Sequence, residues 1–366
     1  MRVRVVDPPA YTPPYDHALC AALAAAGADV ELVTSEFRHG PRPAAEGYTL
    51  RDHFYRAGGS LPVKLAQHPI DMLRLRRLPA VDVTHFQWLP IQAIDRHLLP
   101  RGPKVLTAHD VIPREPRPGQ LGALSKTYNA VDAVVVHSRH GKGVLTGVLD
   151  VPAEKVHVIP HGVFEHLVDV PGAQPLPPEL ATVQRPVVLQ FGLMRPYKGI
   201  DLMLEGFAAA DPDAELWLVG AARMDTAPLK SLARDLGIAD RVRWIERFVG
   251  DDELGAYFER ADVVALPYRQ IDQSGVLFTA LAFGKPLLLT SVGGFTEIAG
   301  DHGAALAVEP DDLAAIARGL THLLGDAGER ERLASAARQL ASGEFAWSQI
   351  ADRTIELYES LAPNAR

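Results

Sequence analysis

Two cations follow a short apolar run in Val187–Gly199, VVLQFGLMRPYKG, where Gly192 is succeeded by Arg195 and Lys198 and a helical pattern begins directly afterwards. A glycine lets another backbone or a ligand come close. Cations beside the exposed amides of a helix start favour an anion, and a diphosphate is the natural guest. The plain alternative is a solvated basic loop. A second segment, Val263–Glu297, leaves an apolar run at Pro267, crosses a polar loop, and opens a short apolar helix at Ser274–Gly275, whose first amides would also face an anion. Gly284–Lys285–Pro286 end that helix, and Gly293–Gly294 turn into another that carries Glu297. Two ordinary strand–helix turns would use the same glycines and prolines. A third place is Asp16–His17, in DPPAYTPPYDHAL. Helix capping by Asp16 with contact to an acceptor is the simpler reading there. A general base at His17 is the sharper one.

The elements that must hold these residues are short β-branched runs alternating with Ala- and Leu-rich stretches. Strands are expected at 3–6, 30–34, 81–86, 105–108, 134–137 and 156–159, and again at 187–190, 215–219, 242–245, 263–266, 287–290 and 305–308. Runs apolar throughout belong to parallel sheets covered on both faces, and their alternation with helices gives a doubly wound α/β fold. Leu167–Pro186 contains five prolines and little periodicity, so it reads as a linker. Two successive α/β domains are expected, 1–180 and 181–346, with the last helix, 347–366, packing back on the first. Ligands of such sheets bind beyond the carboxyl ends of the strands.

The 366 residues carry 37 Lys plus Arg against 45 Asp plus Glu, a net charge of −8, which disfavours a nucleic-acid binder. The single cysteine, Cys20, leaves no intramolecular disulfide and fits a reducing, cytoplasmic setting. No apolar run approaches the roughly 20 residues of a membrane span.

In combination the motifs are recognisable. FGLMRPYKG, ELWLVG, RFVGDDELGAYFERADVVALPY, QSGVLFTALAFGKPLLLTSVGGFTE and the closing FAWSQIADRTIELY, with weaker matches at VLTAHD, VVVHSRHGKGVL and HVIPHGV, resemble the family-four glycosyltransferases. Those are retaining enzymes of the GT-B fold, α/β proteins with two Rossmann-like domains facing across a cleft. The resemblance implies a hexosyltransferase-type enzyme. The second domain would hold the nucleotide-diphosphate sugar and the first an acceptor, either a small molecule, a glycan or a lipid-linked one. It implies that Arg195 and Lys198 hold the donor diphosphate, that Ser274, Gly275 and Val276 bind it through backbone groups, that Phe248 lies where the base packs, and that His109 contacts the donor sugar, with Asp110 a weaker candidate. Gly192 belongs to the same phosphate loop.

One departure stands out. The family carries two glutamates eight positions apart, and here those positions are Ile271 and Thr279. Asp272, one residue along, is the nearest substitute. The loop after the first strand is proline-rich where the family's is glycine-rich. Transfer is expected to need no metal and no other cofactor, because the two cations and the helix amides oppose the charge that develops on the leaving phosphate. Retention is expected; an inverted product would promote His17. The rivals are a nucleotide-sugar epimerase, a sugar phosphorylase, or a non-catalytic partner of another transferase.

Other features read as ordinary. His157 and His161 flank a strand and Pro160 and make a poor metal pair. Arg74, Arg76 and Arg77 form a basic stretch that is a solvated face more readily than a membrane contact. Trp347 is a packing anchor. Phe37–Gly59, rich in Arg, His, Gly and Pro, is a candidate acceptor loop.

Overall fold

The structure is a computed structural model and describes residues 1–37, 44–56, 59–113 and 116–362. The chain divides into two units, Met1–Gly162 with Phe345–Arg366, and Val163–Glu344.

Unit 1 holds a seven-stranded parallel sheet built from β1 (Arg2–Asp7), β2 (Asp29–Ser35), β3 (Thr49–Phe54), β4 (Val83–Phe86), β5 (Lys104–Thr107), β6 (Ala133–Val136) and β7 (Val156–Val158), in the order β3-β2-β1-β4-β5-β6-β7. Side chains alternate between two cores. Val105, Ala133 and Val135 join Leu19, Leu23 and Tyr358 on one face, while Leu106, Val134 and Val136 join Met72, Leu124 and Tyr128 on the other. Burial on both faces explains why these strands read as unbroken apolar runs. The terminal helix, Trp347–Leu361, packs beside the helix Pro13–Ala25. Trp347 lies so close to Gly162 that a Cβ there would come within 2.4 Å of its ring, so it is a packing anchor.

Unit 2 holds a six-stranded parallel sheet of β8 (Val187–Phe191), β9 (Glu215–Val219), β10 (Val242–Ile245), β11 (Val263–Leu266), β12 (Leu287–Thr290) and β13 (Ala305–Val308), in the order β10-β9-β8-β11-β12-β13. The helices Ile200–Ala210 and Leu313–Gly325 pack together on one face, where Gly206 lets Ile316 approach.

Three expectations meet differences. β3 was not foreseen. Its sequence, TLRDHF, is polar because it is an edge strand with five of its six residues at least partly open to solvent before Phe54. The helix Leu61–Leu75 also lacked a signal, since Pro69 lies inside it. The division falls at Gly162–Val163, not at 180–181. The proline-rich stretch packs on unit 2. Gln174 N–H donates to the Asp252 carbonyl at 2.7 Å, Leu180 is buried, and the turn Glu165–Leu167 rests against the helices Asp251–Arg260 and Gly275–Ala282. Proline removed the periodicity without removing the packing. Of the candidate acceptor loop Phe37–Gly59, residues 38–43 and 57–58 lie outside the described residues.

Candidate active site

In unit 2 the chain lays down β8, β9 and β10 to one side and then returns to place β11 on the other side of β8. The loops leaving β8 and β11 therefore diverge at the switch point where ligands of open α/β sheets bind. The β8 loop carries Gly192, Arg195 and Lys198; the β11 loop carries Asp272 and Ser274. Gly192 has φ +100°, and a Cβ there would meet Lys198 Nζ at 2.7 Å and Val276 Cγ2 at 3.0 Å. Those contacts bring three of the sequence-identified residues to one place and show why only glycine fits.

Lys198 is buried. Its Nζ lies 3.5 Å from the Phe191 carbonyl and 5.2 Å from the centre of the Tyr268 ring. Burying an ammonium costs free energy, which the ring face and carbonyl help to offset. Its backbone is held from two sides. Gln190 Nε2 donates to the Lys198 carbonyl at 2.8 Å, and Arg269 N–H donates to the Tyr197 carbonyl at 2.8 Å. Arg269 is itself fixed by a two-pronged ion pair with Asp201 at 2.7 and 2.8 Å. Arg195 is exposed, with no partner among the described residues.

Ser274 precedes the helix Gly275–Ala282 with extended backbone, and its hydroxyl caps no amide. The Gly275 and Val276 N–H groups have no acceptor among the described residues. A helix start left in that condition is a ready anion cradle. The loop before it is braced by Gly293–Gly294. A Cβ on Gly293 would overlap the Ile271 carbonyl at 1.7 Å, and Gly294 N–H donates to the Asp272 carbonyl at 3.2 Å. Ile271 and Thr279 are both buried, and the Thr279 hydroxyl donates to the Gly275 carbonyl at 3.0 Å, so neither side chain replaces a carboxylate. Asp272 is half-buried beside them. Phe248, between β10 and the helix Asp251–Arg260, is 66% exposed, which leaves its ring available for stacking.

In unit 1 the carboxyl ends of five strands carry a different set. Asp7 ends β1, and Gln87, His109, His137 and His161 follow β4, β5, β6 and β7. His137 Nδ1 lies 3.0 Å from the Ile159 carbonyl, and its Nε2 lies 3.3 Å from His109 Nδ1. A carbonyl only accepts, so His137 Nδ1 carries the proton. Burial pushes the His137 value down to about 4 and keeps the ring neutral, which leaves Nε2 as the acceptor. His109 must then donate from Nδ1 and present a lone pair at Nε2. The Gln87 amide faces that atom at 3.0 Å, and the pairing is satisfied when its nitrogen, otherwise buried without a partner, is turned to His109. Burial and the neighbouring histidines hold His109 well below the usual imidazole value. Its ring stacks on Trp88 at 5.2 Å and lines a cavity of about 130 Å³ with Gln87, Thr107 and Asp110. Sequence reasoning missed His137 and Gln87. Their only signal was position after an apolar strand.

Asp16 and His17 depart from expectation. Thr12 occupies the position before the helix Pro13–Ala25, and Asp16 lies buried in the first turn, not at the cap. It hydrogen bonds to Asp7. Two carboxyls so placed share a proton, and Asp7 Oδ2 accepts from the Tyr11 N–H at 2.8 Å, which marks Asp7 as the charged member. Burial, with the Asp7 charge added, raises Asp16 well above the carboxylate range. His17 is buried against the Tyr48 hydroxyl. Among the described residues no three His, Cys, Asp or Glu side chains converge as a metal site, and no helix is long and apolar enough to cross a membrane.

Two successive α/β units, each built on a parallel sheet, match the architecture of the GT-B class of sugar-transfer enzymes, and comparison with known proteins supports this. Residues 15–165 match the model for Glycosyltransferase Family 4 and residues 177–340 match that for Glycosyl transferases group 1. Together the matches take in most of the chain, and it belongs to this glycosyltransferase family. A D-inositol 3-phosphate glycosyltransferase of Xylanimonas cellulosilytica is 28% identical over 93% of this chain and 89% of its own. An MMP alpha-(1->4)-mannosyltransferase of Mycolicibacterium hassiacum is 28% identical over 62% of this chain and 54% of its own. Among solved structures, Anabaena HepE in complex with UDP-glucose superposes with a TM-score of 0.76 at 18% identity, covering 99% of this chain and 100% of HepE.

Proposed function

We propose that the protein transfers a sugar from a nucleotide-diphosphate donor to an acceptor hydroxyl, with retention of anomeric configuration and without a metal ion. The observation that carries this reading is the convergence of Lys198 on Gly192 and Val276, beside the unpaired amides of Gly275 and Val276. As the glycosyl–phosphate bond breaks, negative charge grows on the leaving diphosphate. Lys198, Arg195 and those amides oppose that charge more strongly in the transition state than in the ground state. Fixed cations here do the work that a divalent ion does elsewhere. Phe248 stacks on the base, and Asp272 takes the ribose or sugar hydroxyls that a glutamate would otherwise hold. In unit 1, the acceptor-binding unit, His109 contacts the donor sugar with its ring, whose orientation His137 and Gln87 fix. His109 is neutral and Asp16 already shares its proton, so unit 1 supplies orientation, and the leaving phosphate itself takes the acceptor proton.

The test is a thermal-shift panel of uridine, guanosine, adenosine, thymidine and cytidine diphosphates. One of them, at 100 times its dissociation constant, should add about 2.7 kcal/mol to stability. No shift with any of the five would overturn the donor assignment and favour a non-catalytic partner. NMR of the product's anomeric configuration decides retention, because an inverted product contradicts transfer on the donor's front face. The acceptor class follows from assaying the sugar donor with soluble polyols, glycans and lipid-linked sugars.

A further inference from the structure

The basic stretch at the end of the helix Leu61–Leu75 does not behave as one unit. Arg74 pairs with Asp71 at 3.1 Å, within its own helix. Arg76 and Arg77 instead line a separate cavity of about 450 Å³ in unit 1, joined there by Arg101 from the segment before β5. None of these three guanidinium groups has a partner among the described residues. The cavity floor includes Arg4, which is buried and already spoken for, donating to Glu31 at 2.8 Å and to the Pro79 carbonyl at 3.1 Å. Its remaining walls are mostly apolar, with Leu73, Leu78 and Pro100 among them beside the polar Thr84.

The contrast with the rest of the chain is what matters. Acidic residues outnumber basic ones by 45 to 37, and Arg51, Arg241, Arg243, Arg247, Arg269 and Arg332 each hold a carboxylate. Three unpaired guanidinium groups around one concavity repel each other unless an anion lies between them. Guanidinium forks match phosphate oxygens in pairs, and apolar walls suit the body of a phosphate ester. The cavity lies at the amino ends of β4 and β5, whereas Gln87 and His109 follow their carboxyl ends. It is a different place from the site described above.

We propose that this cavity is a second ligand site of unit 1 and takes a phosphate-bearing ligand through Arg76, Arg77 and Arg101. A soluble phosphate ester and the headgroup of an anionic phospholipid present the same chemistry, and the experiment separates them. Binding of inorganic phosphate and glycerol 3-phosphate is measured by calorimetry, and co-sedimentation is measured with vesicles of phosphatidylcholine alone or mixed with phosphatidylglycerol. The proteins are the wild type, the triple variant Arg76→Ser/Arg77→Ser/Arg101→Ser, and Arg195→Ala/Lys198→Ala as the control for phosphate in unit 2. All three arginines of the triple variant are exposed, and an unchanged melting temperature verifies its fold.

The expected result is binding that the triple variant loses by at least tenfold, that salt weakens, and that the Arg195/Lys198 variant retains. Binding of the soluble esters identifies a metabolite site; pelleting only with phosphatidylglycerol identifies a headgroup site. The proposal is overturned if neither probe binds, if the triple variant binds as the wild type does, if only the Arg195/Lys198 variant loses binding, or if vesicles without phosphatidylglycerol pellet equally well. It does not depend on the donor assignment, which these variants test separately.

Discussion

Unit 2 ends its β8 and β11 strands in an exposed Arg195, a buried Lys198 and two amides without acceptors. Unit 1 ends its strands in His109, His137 and His161, all held neutral by burial, and in an aspartate pair that shares a proton. The same kind of sheet thus carries a concentrated positive charge in one unit and a nearly uncharged hydrogen-bonding wall in the other. The difference matches what the two halves of the proposed transfer would need. A leaving diphosphate needs charge, and charge is worth most where it is fixed and partly desolvated. A sugar needs orientation, and neutral imidazoles with assigned tautomers orient hydroxyls without attracting stray anions.

The largest expected effect removes charge from unit 2. Lys198→Ala should lower donor turnover about 100- to 1,000-fold, the range for deleting one transition-state donor, as read by steady-state assay. Turnover within threefold of the wild type would erase the distinction between the units.

The second effect sharpens the comparison through pH. His85 and His161 are pushed down to about 3 and His137 to about 4, chiefly by burial, from a value near 6.5. Folded unit 1 therefore binds fewer protons than the unfolded chain between those values. The histidine contribution to stability is complete above about pH 6.5 and declines as pH falls toward 4, by about 1.4 kcal/mol per pH unit for each such histidine, while the raised Asp16 acts in the opposite direction. Hydrogen exchange at pH 7 and pH 4.5 should show protection lost first in β4–β7. Equal loss in β8–β13 would contradict the assignment of neutral histidines to unit 1.

A third, smaller effect concerns His137. Replacing it with Phe removes the acceptor of the His109 Nδ1 proton. The expected outcome is a mixed His109 tautomer in long-range proton–nitrogen spectra and roughly tenfold lower kcat, below the range for a group that transfers a proton because His109 only orients, with donor affinity unchanged. A wild-type spectrum showing His109 protonated at Nε2 would break the chain of donors traced from Ile159. The smallest effect is expected from Phe248→Ala, which removes an exposed ring. A stacked base is worth about 1–3 kcal/mol, so the donor KM should rise at the low end of that range, with kcat and melting temperature unaltered.

The two units also differ in how much of them could be read in the sequence. All six strands of unit 2 were legible, because β9, β11 and β12 are buried throughout, β8 nearly so, and the partly open edge strands β10 and β13 still carry short, mostly apolar runs. In unit 1 the edge strand Thr49–Phe54 and the helix Leu61–Leu75 were not, since one faces solvent and the other contains Pro69. The phosphate loop was visible for the same local reason: Gly192 and Lys198 lie within seven residues, and glycine is the only residue that the +100° φ and the crowding Lys198 allow. The histidine wall was not visible. Gln87, His109, His137 and His161 are spread over 75 positions, and only the strand order β4-β5-β6-β7 aligns them. Asp16 was misread as a cap because its partner, Asp7, belongs to another element, and a buried carboxyl pair has no local signature.

The central claim is that a diphosphate is held in unit 2 by Arg195, Lys198 and the amides of Gly275 and Val276. Isothermal titration of the best-binding nucleoside diphosphate into the wild type and into Arg195→Ala/Lys198→Ala measures it most directly. The account predicts at least a 100-fold loss of affinity in the double variant, about 2.7 kcal/mol, with the fold intact by circular dichroism. Equal affinity in the two proteins would contradict it.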